Sequence, residues 1–337
     1  MSDVAFVILA FMIAVYVLLD GYDLGVAALA PFISRNEDDR ASAMHAIGPY
    51  WNGNEVWLIA AGGVSFALFP LAYASAFSGF YLPFMVVLWL LMFRGIAMEV
   101  REHFPSDLWH TFWDTAFSLS SALLILIFGL TIGNLVRGLP LHASGFFFGT
   151  FAFLLNPYAF AVGLFAVAAL AQHGATFLIM VADGELARRS RHAIVRIWWI
   201  VLAFYVIVTI FTFAVRPIVF TRPWLAVIAF VSFAAFVLLR VRLSRESRVA
   251  PFVFSTVFIA GLLVAAAATL YPYLLPDFAG TGGLTIYAAS ASPRAMAWGV
   301  PATLVGLVAV SIYTFFVIRR LNAAPYQHSG GREHRGS

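Results

Sequence analysis

Residues 4–24 read VAFVILAFMIAVYVLLDGYDL, a run that is apolar as far as Asp20. A helix of about 20 apolar residues crosses the hydrocarbon core of a bilayer, which is about 30 Å thick. Because no basic stretch precedes this run and no small-residue cleavage site follows it, we expect a retained membrane helix rather than a removable signal peptide. Its two acids, Asp20 and Asp23, are unusual in such a segment.

The composition of the whole chain is also typical of a membrane protein. Of its 337 residues, 62% are hydrophobic and only 11% are charged, whereas a soluble domain carries about 25% charged residues. This excludes a soluble globular enzyme and a disordered chain. The net charge is only +4, and the basic residues form short clusters between apolar runs, so no nucleic-acid partner is expected. The absence of cysteine excludes disulfides, thiolate metal sites and iron–sulfur clusters.

Apolar runs of membrane-spanning length recur along the chain. They predict an all-α polytopic membrane protein with nine transmembrane helices. The predicted spans are 4–24, 56–73, 77–96, 116–136, 158–182, 197–215, 224–239, 252–271 and 297–318.

The arginines give an independent prediction of orientation, because cytoplasmic loops accumulate positive charge. Arginine clusters fall on every second connection, which predicts an external N-terminus and a cytoplasmic C-terminus. An eight-span arrangement would place one cluster on the wrong side. The clusters are Arg35 with Arg40; Arg94 with Arg101; Arg188, Arg189, Arg191 and Arg196; Arg240, Arg242, Arg245 and Arg248; and Arg319 with Arg320.

A weak internal repeat suggests how the helices group. The first span ends in Asp20-Gly21-Tyr22-Asp23-Leu24, and the fifth is followed by Asp183-Gly184-Glu185-Leu186. Four spans separate them, so the repeat predicts two parallel four-helix bundles plus one peripheral helix. The bundles would be residues 1–140 and 141–275, and residues 276–337 would form an external loop, the ninth helix and a cytoplasmic tail. Two short acidic matches can also arise by chance, so duplication stays open.

Ionisable side chains inside spans carry the functional argument, since each costs about 2.5 to 3.5 kcal/mol near the bilayer centre. Asp20 and Asp23 share a helix face, and Asn52 and Glu55 repeat their spacing. Arg94 and Glu99 end the third span on the same predicted side, so we expect these groups to gather there. Ordinary helix-end contacts are the alternative. We prefer that alternative for Glu37, Asp38, Asp39, Glu102, Asp107 and Asp114.

Haem ligands are scarce in this sequence. His173 alone lies well inside a predicted span, and the other histidines fall in loops, at helix ends or in the tail. One intramembrane histidine cannot supply a bis-histidine haem, so we expect His173 to be a structural residue.

Several motifs, in the order in which they occur, closely resemble subunit II of the cytochrome bd quinol oxidases. They are Asp20-Gly21-Tyr22-Asp23-Leu24-Gly25, the stretch IGPYWNGNEVWL at 47–58, Ala76 to Tyr81, Phe93-Arg94, Asp183-Gly184-Glu185 and LTIYAAS at 284–290. The resemblance implies a heterodimeric terminal oxidase of the bacterial cytoplasmic membrane, which oxidises quinol and reduces oxygen to water.

The resemblance also implies a division of labour between the subunits. The haems, two of type b and one of type d, and the quinol site belong to subunit I. Subunit II is haem-free and has no catalytic residue of its own. A structural quinone or lipid and a small single-helix subunit are further expected components.

The family places a cytoplasmic proton path at the subunit interface. Carried over to this chain, that path involves Asp20, Asp23, the Trp51-Asn52 position, Arg94 and Glu99. The family commonly has an acid directly after the tryptophan, where this chain has Asn52. Because Glu55 lies about one turn further on, roughly 5 Å along the axis, Glu55 is the preferred proton carrier.

A proton-coupled secondary transporter is the main alternative function. Its membrane carboxylates would bind substrate or a coupling ion. Against it, the sequence shows no pair of spans broken by glycine and proline in matching positions. A purely structural scaffold is the third hypothesis.

Overall fold

Helices make up most of the chain in the computed structural model, which describes residues 1–217, 222–243, 247–280 and 282–323. Arg245 and the tail from residue 324 lie outside the described residues, as do the side chains of Arg319 and Arg320. The helices are α1 Ser2–Ile33, α2 Glu37–Ile47, α3 Trp51–Leu68, α4 Pro70–Gly79, α5 Tyr81–Val100, α6 Asp107–Arg137, α7 Phe151–Leu154, α8 Pro157–Val181, α9 Gly184–Val215, α10 Leu225–Leu243, α11 Ala250–Leu270, α12 Ile286–Ala289 and α13 Pro293–Ala323.

Two short antiparallel strands connect α11 to α12. They are β1 Tyr273–Pro276 and β2 Gly283–Thr285, and they pair Tyr273 with Thr285 and Pro276 with Gly283. A 3₁₀ turn, Arg101–His103, follows α5.

Eight helices of the described chain are long and apolar enough to cross a membrane, which confirms an all-α polytopic membrane protein. They are α1, α5 with its 3₁₀ turn, α6, α8, α9, α10, α11 and α13. The predicted span 56–73 instead falls on two helices that meet at Phe69. Pro70 has no amide hydrogen to continue the first helix and opens the second. The nine-span arrangement and the three predicted domains therefore stay predictions.

The first helix is longer than expected and lies at the centre of the packing. It runs to Ile33, so Asp20 and Asp23 lie inside the helix rather than at its end. Its first half packs in one apolar core with α3, α4, α12 and α13. Its second half packs in another core with α6, α8, α9, α10 and α11. Both apolar cores therefore depend on the position of α1.

Glycine allows α1 and α8 to touch through their backbones. A Cβ atom built on Gly25 would lie 1.9 Å from the carbonyl oxygen of Leu170. One built on Gly174 would lie 2.3 Å from the amide nitrogen of Val26. Small residues at a crossing are what membrane helices need for close approach.

The repeated acidic motif does not have the same structure in its two copies. Asp20 is fully buried within α1, whereas Asp183 precedes α9 with its side chain 82% exposed and paired with Arg248 at 2.8 Å. Gly184 has a positive φ of 62°. The second copy is thus a helix boundary at the surface and does not supply a second buried acid.

Gly25→Ala should destabilise the protein, because the new methyl group forces α1 and α8 apart. Overpacking of this kind costs about 1 to 3 kcal/mol. The thermal unfolding midpoint of the detergent-solubilised protein measures the effect. Gly63→Ala is the matched control, since a Cβ on Gly63 meets no atom within 4 Å. Equal midpoints for the two variants would contradict the proposed close crossing.

Candidate functional site

A cluster of charged and polar side chains lies where α1, α3 and α5 meet. The Arg94 cluster consists of Asp20 and Asp23 from α1, Asn54 and Glu55 from α3, and Arg94 from α5. Asp20 and Asp23 are three residues apart on α1, and Asn54 and Glu55 lie three and four residues after Trp51 on α3, so each set shares one helix face. Asp20, Asp23 and Arg94 are fully buried.

Arg94 bridges acids from two helices. Its Nη2 donates to Asp20 Oδ1 at 2.7 Å and its Nη1 to Asp20 Oδ2 at 3.2 Å. Nη1 also donates to Glu55 Oε1 at 2.7 Å. Two parallel bonds to one carboxylate give a fixed geometry. Arg94 therefore sets the distance between the Asp20 and Glu55 carboxyl groups.

Asp23 is held mainly by the amide of Asn54. Asn54 Nδ2 donates to Asp23 Oδ2 at 2.7 Å and to the Tyr22 hydroxyl oxygen at 3.0 Å. Arg94 Nη2 is 3.9 Å from the same carboxyl oxygen. The other oxygen, Asp23 Oδ1, is buried without a hydrogen-bond partner among the described residues. Asn54 therefore fixes one side of the Asp23 carboxyl group.

Three carboxyl groups share one guanidinium in this cluster. Full ionisation would leave two negative charges uncompensated in a largely buried site, which is costly. A group of carboxyl oxygens held this closely can exchange protons directly or through single water molecules.

Glu55 connects the cluster to the outer surface, because its side chain is 23% exposed. The same two helices carry exposed apolar side chains, including Ile59 of α3 and Trp89 and Phe93 of α5. Large apolar surfaces of this kind need a lipid or protein covering. The cluster therefore opens toward a surface that a partner or the bilayer covers.

The remaining predicted site residues lie at different distances from the cluster. Trp51 is buried, with its ring centroid 6.0 Å from Arg94 Cζ. Asn52 and Glu99 are exposed, and the structure does not bring either into the cluster.

Sequence reasoning missed Asn54 and Tyr22. The signal was present, because Trp51, Asn54 and Glu55 have i, i+3, i+4 spacing and share one helix face. Asn52 is about 100° away from Trp51 on the same helix. Asn54 therefore lies on the helix face of Trp51 and Glu55, whereas Asn52, the residue directly after the tryptophan, does not.

A second ionic network joins α2 to α6 near the end of α5. Arg101 Nε donates to Asp114 Oδ1 at 2.6 Å, and Arg101 also pairs with Glu37. His110 Nδ1 lies 3.1 Å from Glu37 Oε1. These contacts agree with the helix-end interpretation of Glu37 and Asp114.

Asp39 ties α2 to α9 in a similar way. It accepts hydrogen bonds from the Arg35 amide at 2.8 Å and from Arg189 at 2.5 Å. Partial burial alone would raise the pKa of Asp39, but these hydrogen bonds outweigh that effect and lower it. Asp39 therefore stays charged and helps to fix the connection after α1.

His173 does not fit the role of a haem ligand. Its ring is fully buried, with Nδ1 2.9 Å from Ser255 Oγ and Nε2 3.1 Å from the Leu18 carbonyl oxygen. The ring also stacks on Phe252 at 4.9 Å. Since both nitrogens are engaged, His173 joins α1, α8 and α11. Within the described ranges, no group of three histidine, aspartate or glutamate side chains could hold a metal ion.

Comparison with known proteins identifies the family. The family model described as "Cytochrome bd terminal oxidase subunit II" matches residues 1–321. A probable cytochrome oxidase subunit 2 from Haemophilus influenzae is 33% identical over 82% of this chain and 84% of its own length. Cytochrome bd-I ubiquinol oxidase subunit 2 from Escherichia coli K12 is 38% identical over 52% of this chain and 48% of its own length.

A solved structure has a similar fold. The bd oxidase from Geobacillus thermodenitrificans aligns with a TM-score of 0.75 at 20% identity, covering 95% of this chain and 98% of that chain. At this identity the likeness concerns the fold alone.

The fold and the buried cluster define a multi-pass helical membrane protein with an acid–arginine site. The chain belongs to the cytochrome bd terminal oxidase subunit II family. It is therefore a subunit of a bd-type oxidase complex, an oxidoreductase, and haem and a partner subunit I are implied for that complex. Its apolar helices and bacterial relatives support a location in the inner membrane.

Arg94→Gln should strongly reduce the stability of the assembled complex. Removing one member of a buried ion pair costs about 3 to 5 kcal/mol, because the carboxylates lose their counter-charge. Adding Asp20→Asn to the same chain should recover part of the loss. Thermal unfolding of the purified complex measures both effects.

Arg188→Gln is the control for this experiment. Its pair with Glu185 is exposed on both sides, and such surface pairs contribute about 0 to 1 kcal/mol. A similar midpoint for Arg94→Gln and Arg188→Gln would show that the buried pair does not stabilise the helix junction.

Proposed function

We propose that this chain is the haem-free subunit II of a cytochrome bd-type terminal oxidase, which oxidises quinol and reduces oxygen to water. In this proposal it stabilises the haem-bearing subunit I and contributes to proton uptake from the cytoplasm. The observation that carries the proton-uptake role is the Arg94 cluster, in which three carboxyl groups surround one buried guanidinium and Glu55 reaches the surface.

The chemistry of the reaction requires such a path. Reduction of one oxygen molecule to two waters consumes four electrons and four protons. Haem b and haem d, bound by subunit I, would supply the electron transfer and the oxygen reduction. If the protons come from the cytoplasm while quinol releases its protons outside, turnover charges the membrane without a separate pump.

Each residue of the Arg94 cluster has a role in this proposal. Glu55 exchanges protons with the interface, and Asp20 receives them through a water or by direct transfer. Arg94 holds both carboxyl groups in place and prevents their mutual repulsion from separating the helices. Asp23, fixed by Asn54, completes the series with its unpaired oxygen. Trp51, Asn52 and Glu99 remain candidates for the part of the path outside the cluster.

The exposed apolar surface of α3 and α5 is the proposed contact with subunit I. A small single-helix subunit is a further expected partner, and a structural quinone or lipid is the expected ligand of this chain. The N-terminus would lie outside and the C-terminus in the cytoplasm. In the nine-span arrangement, α3 is the additional crossing, since its 18 residues extend for about 27 Å.

A proton-coupled transporter is less well supported. The family match favours an oxidase subunit, and carboxyl groups that bind protons are common to both functions. Purification separates them, because the oxidase should be a coloured complex with a second polypeptide and the transporter a colourless self-oligomer.

Glu55→Gln and Asp20→Asn should each slow oxygen consumption by the purified complex, because an amide cannot carry the proton. The haem absorption spectrum should stay largely unchanged. Glu102→Gln is the control, since Glu102 is exposed and pairs only with His45 in the part of the chain described. Wild-type turnover in both test variants would refute the proton-path role. Loss of haem from the complex would indicate a structural role instead.

Adding Asn52→Asp to Glu55→Gln should restore part of the lost turnover. Asn52 lies one turn before Glu55 at the exposed edge of α3, where a new carboxyl group could again receive protons from the interface. Steady-state oxygen consumption with excess quinol measures the recovery. If the double variant is as slow as Glu55→Gln, the two positions are not interchangeable.

A further inference from the structure

The Arg94 cluster contains two buried atoms that the contacts described above leave unpaired. Asp23 Oδ1 and Arg94 Nε have no hydrogen-bond partner within the described residues, and both side chains are fully buried. Nε and Nη2 form one edge of the guanidinium, and Nη2 lies 3.9 Å from the other carboxyl oxygen of Asp23. The free donor and the free acceptor are therefore on the same side of the guanidinium. Buried polar atoms are nearly always paired, because an unpaired one is costly.

A third unpaired atom is the hydroxyl oxygen of Ser121 on α6, whose side chain is also fully buried. Serine hydroxyls inside helices can donate to the carbonyl oxygen one turn back, and Ser190 and Ser232 do so here at 2.8 Å. Ser121 makes no such bond in the part of the chain that is described. Its hydroxyl is therefore free to bind another group.

Helix packing places Ser121 opposite Asp23. The rings of Tyr16 on α1 and Phe128 on α6 meet edge to face, with their centroids 5.8 Å apart. Asp23 lies seven residues after Tyr16, and Ser121 lies seven residues before Phe128. Seven residues are about two turns of helix, or about 10 Å, so each residue shares a face with the ring it is counted from. Because α1 and α6 are antiparallel, the same step along both helices leads to Asp23 and Ser121.

Close contacts with α8 support this alignment. Those between α6 and α8 follow opposite chain directions, and those between α1 and α8 follow the same direction, so α1 and α6 are antiparallel. Continued along the helices, both sets place Ser121 and Asp23 at the level of residues 171 and 172. The contacts join Gly133 to Ala159, Gly129 to Gly163, Gly21 to Leu170, and Gly174 to Val26.

We propose that Arg94 Nε, Asp23 Oδ1 and Ser121 Oγ bind one ordered water molecule at the junction of α1, α5 and α6. The water accepts a hydrogen bond from the guanidinium, donates one to the carboxyl oxygen and shares a third with the hydroxyl group. A buried water typically makes about three hydrogen bonds to groups that are otherwise unpaired, and these three atoms provide them. The water site depends only on the placement of these three side chains.

Through this water, Ser121 acts as a positioning residue. The water fixes the second oxygen of Asp23 and the Nε edge of Arg94, and Arg94 in turn sets the distance between the Asp20 and Glu55 carboxyl groups. Without the Ser121 hydroxyl, the water loses one of its three partners and holds both side chains less firmly. Proton exchange within the Arg94 cluster then becomes slower. This consequence, unlike the water site, rests on the proposed proton-uptake function.

High-resolution cryo-electron microscopy of the wild-type oxidase complex tests the water site directly. Density for a water molecule is expected about 2.7 to 3.2 Å from each of the three atoms. A direct hydrogen bond between Ser121 and Asp23 would overturn the site. A map that shows other buried waters but none at this junction would overturn it as well.

Ser121→Thr and Ser121→Val test the positioning role as a matched pair, since the two side chains have nearly the same shape and only threonine has a hydroxyl. We expect Ser121→Thr to consume oxygen about as fast as wild type. Ser121→Val should be about tenfold slower, a smaller effect than the loss of a general acid or base, which costs about 100-fold or more. The haem absorption spectrum should be the same in both. In D₂O, Ser121→Val should slow further than Ser121→Thr, because only a slower proton transfer raises the solvent isotope effect.

Two alanine variants serve as checks. Ser121→Ala removes the hydroxyl without adding volume and should be as slow as Ser121→Val, even if the added methyl groups of the matched pair prevent assembly. Ser190→Ala removes another fully buried serine hydroxyl, on α9, and should keep wild-type turnover.

The outcomes separate this inference from the proposed function. If Glu55→Gln is slow while Ser121→Val and Ser121→Ala consume oxygen as fast as wild type, the positioning role is refuted and proton uptake stands. If Glu55→Gln and Asp20→Asn both turn over as wild type, proton uptake is refuted. The density beside Ser121 then decides the water site by itself.

Discussion

Arg94 is a fully buried guanidinium inside a membrane protein, and its partners lie on two other helices. A buried charge is tolerated only when its counter-charges and hydrogen bonds have good geometry. Since Asp20 provides two oxygens and Glu55 one, the positions of α1, α3 and α5 are fixed relative to one another. The apolar side chains of these helices could pack in several registers, but the Arg94 cluster favours one.

The opposite side of α1 fixes the same helix against α8. Gly25 and Gly174 bring the two backbones into contact only one turn from the acids. Tyr22 links the two sides, because its hydroxyl accepts a hydrogen bond from Asn54 and its ring stacks on Phe177 of α8 at 4.2 Å. The orientation of Asp23 therefore depends on packing in the second apolar core as well as on the cluster itself.

Much of this arrangement could be predicted from the sequence, and the omissions have physical reasons. Hydropathy located eight of the nine predicted membrane helices among the described residues, since burial in lipid requires long apolar runs. Helical spacing and the distribution of arginines predicted that Asp20, Glu55 and Arg94 lie at the same side of the membrane. Both signals can be read directly from the sequence. The break at Phe69 and the burial of Asn54 depend on neighbouring helices, which a single sequence does not specify. The Asp183 motif was misleading because a helix boundary and a helix interior can share the same few letters.

Glu55 also connects the Arg94 cluster with the assembly of the oxidase complex. Its carboxyl group is 23% exposed beside exposed apolar side chains such as Ile59, and a charged group is costly where only hydrocarbon faces it. A protein partner that offers a polar group or a water at this point removes that cost, whereas lipid chains cannot. The same residue that opens the Arg94 cluster thus favours a protein neighbour over lipid at this surface. In the proposed proton-uptake role, contact with subunit I would complete the hydrogen bonding of Glu55 and also shield its carboxyl group from the membrane.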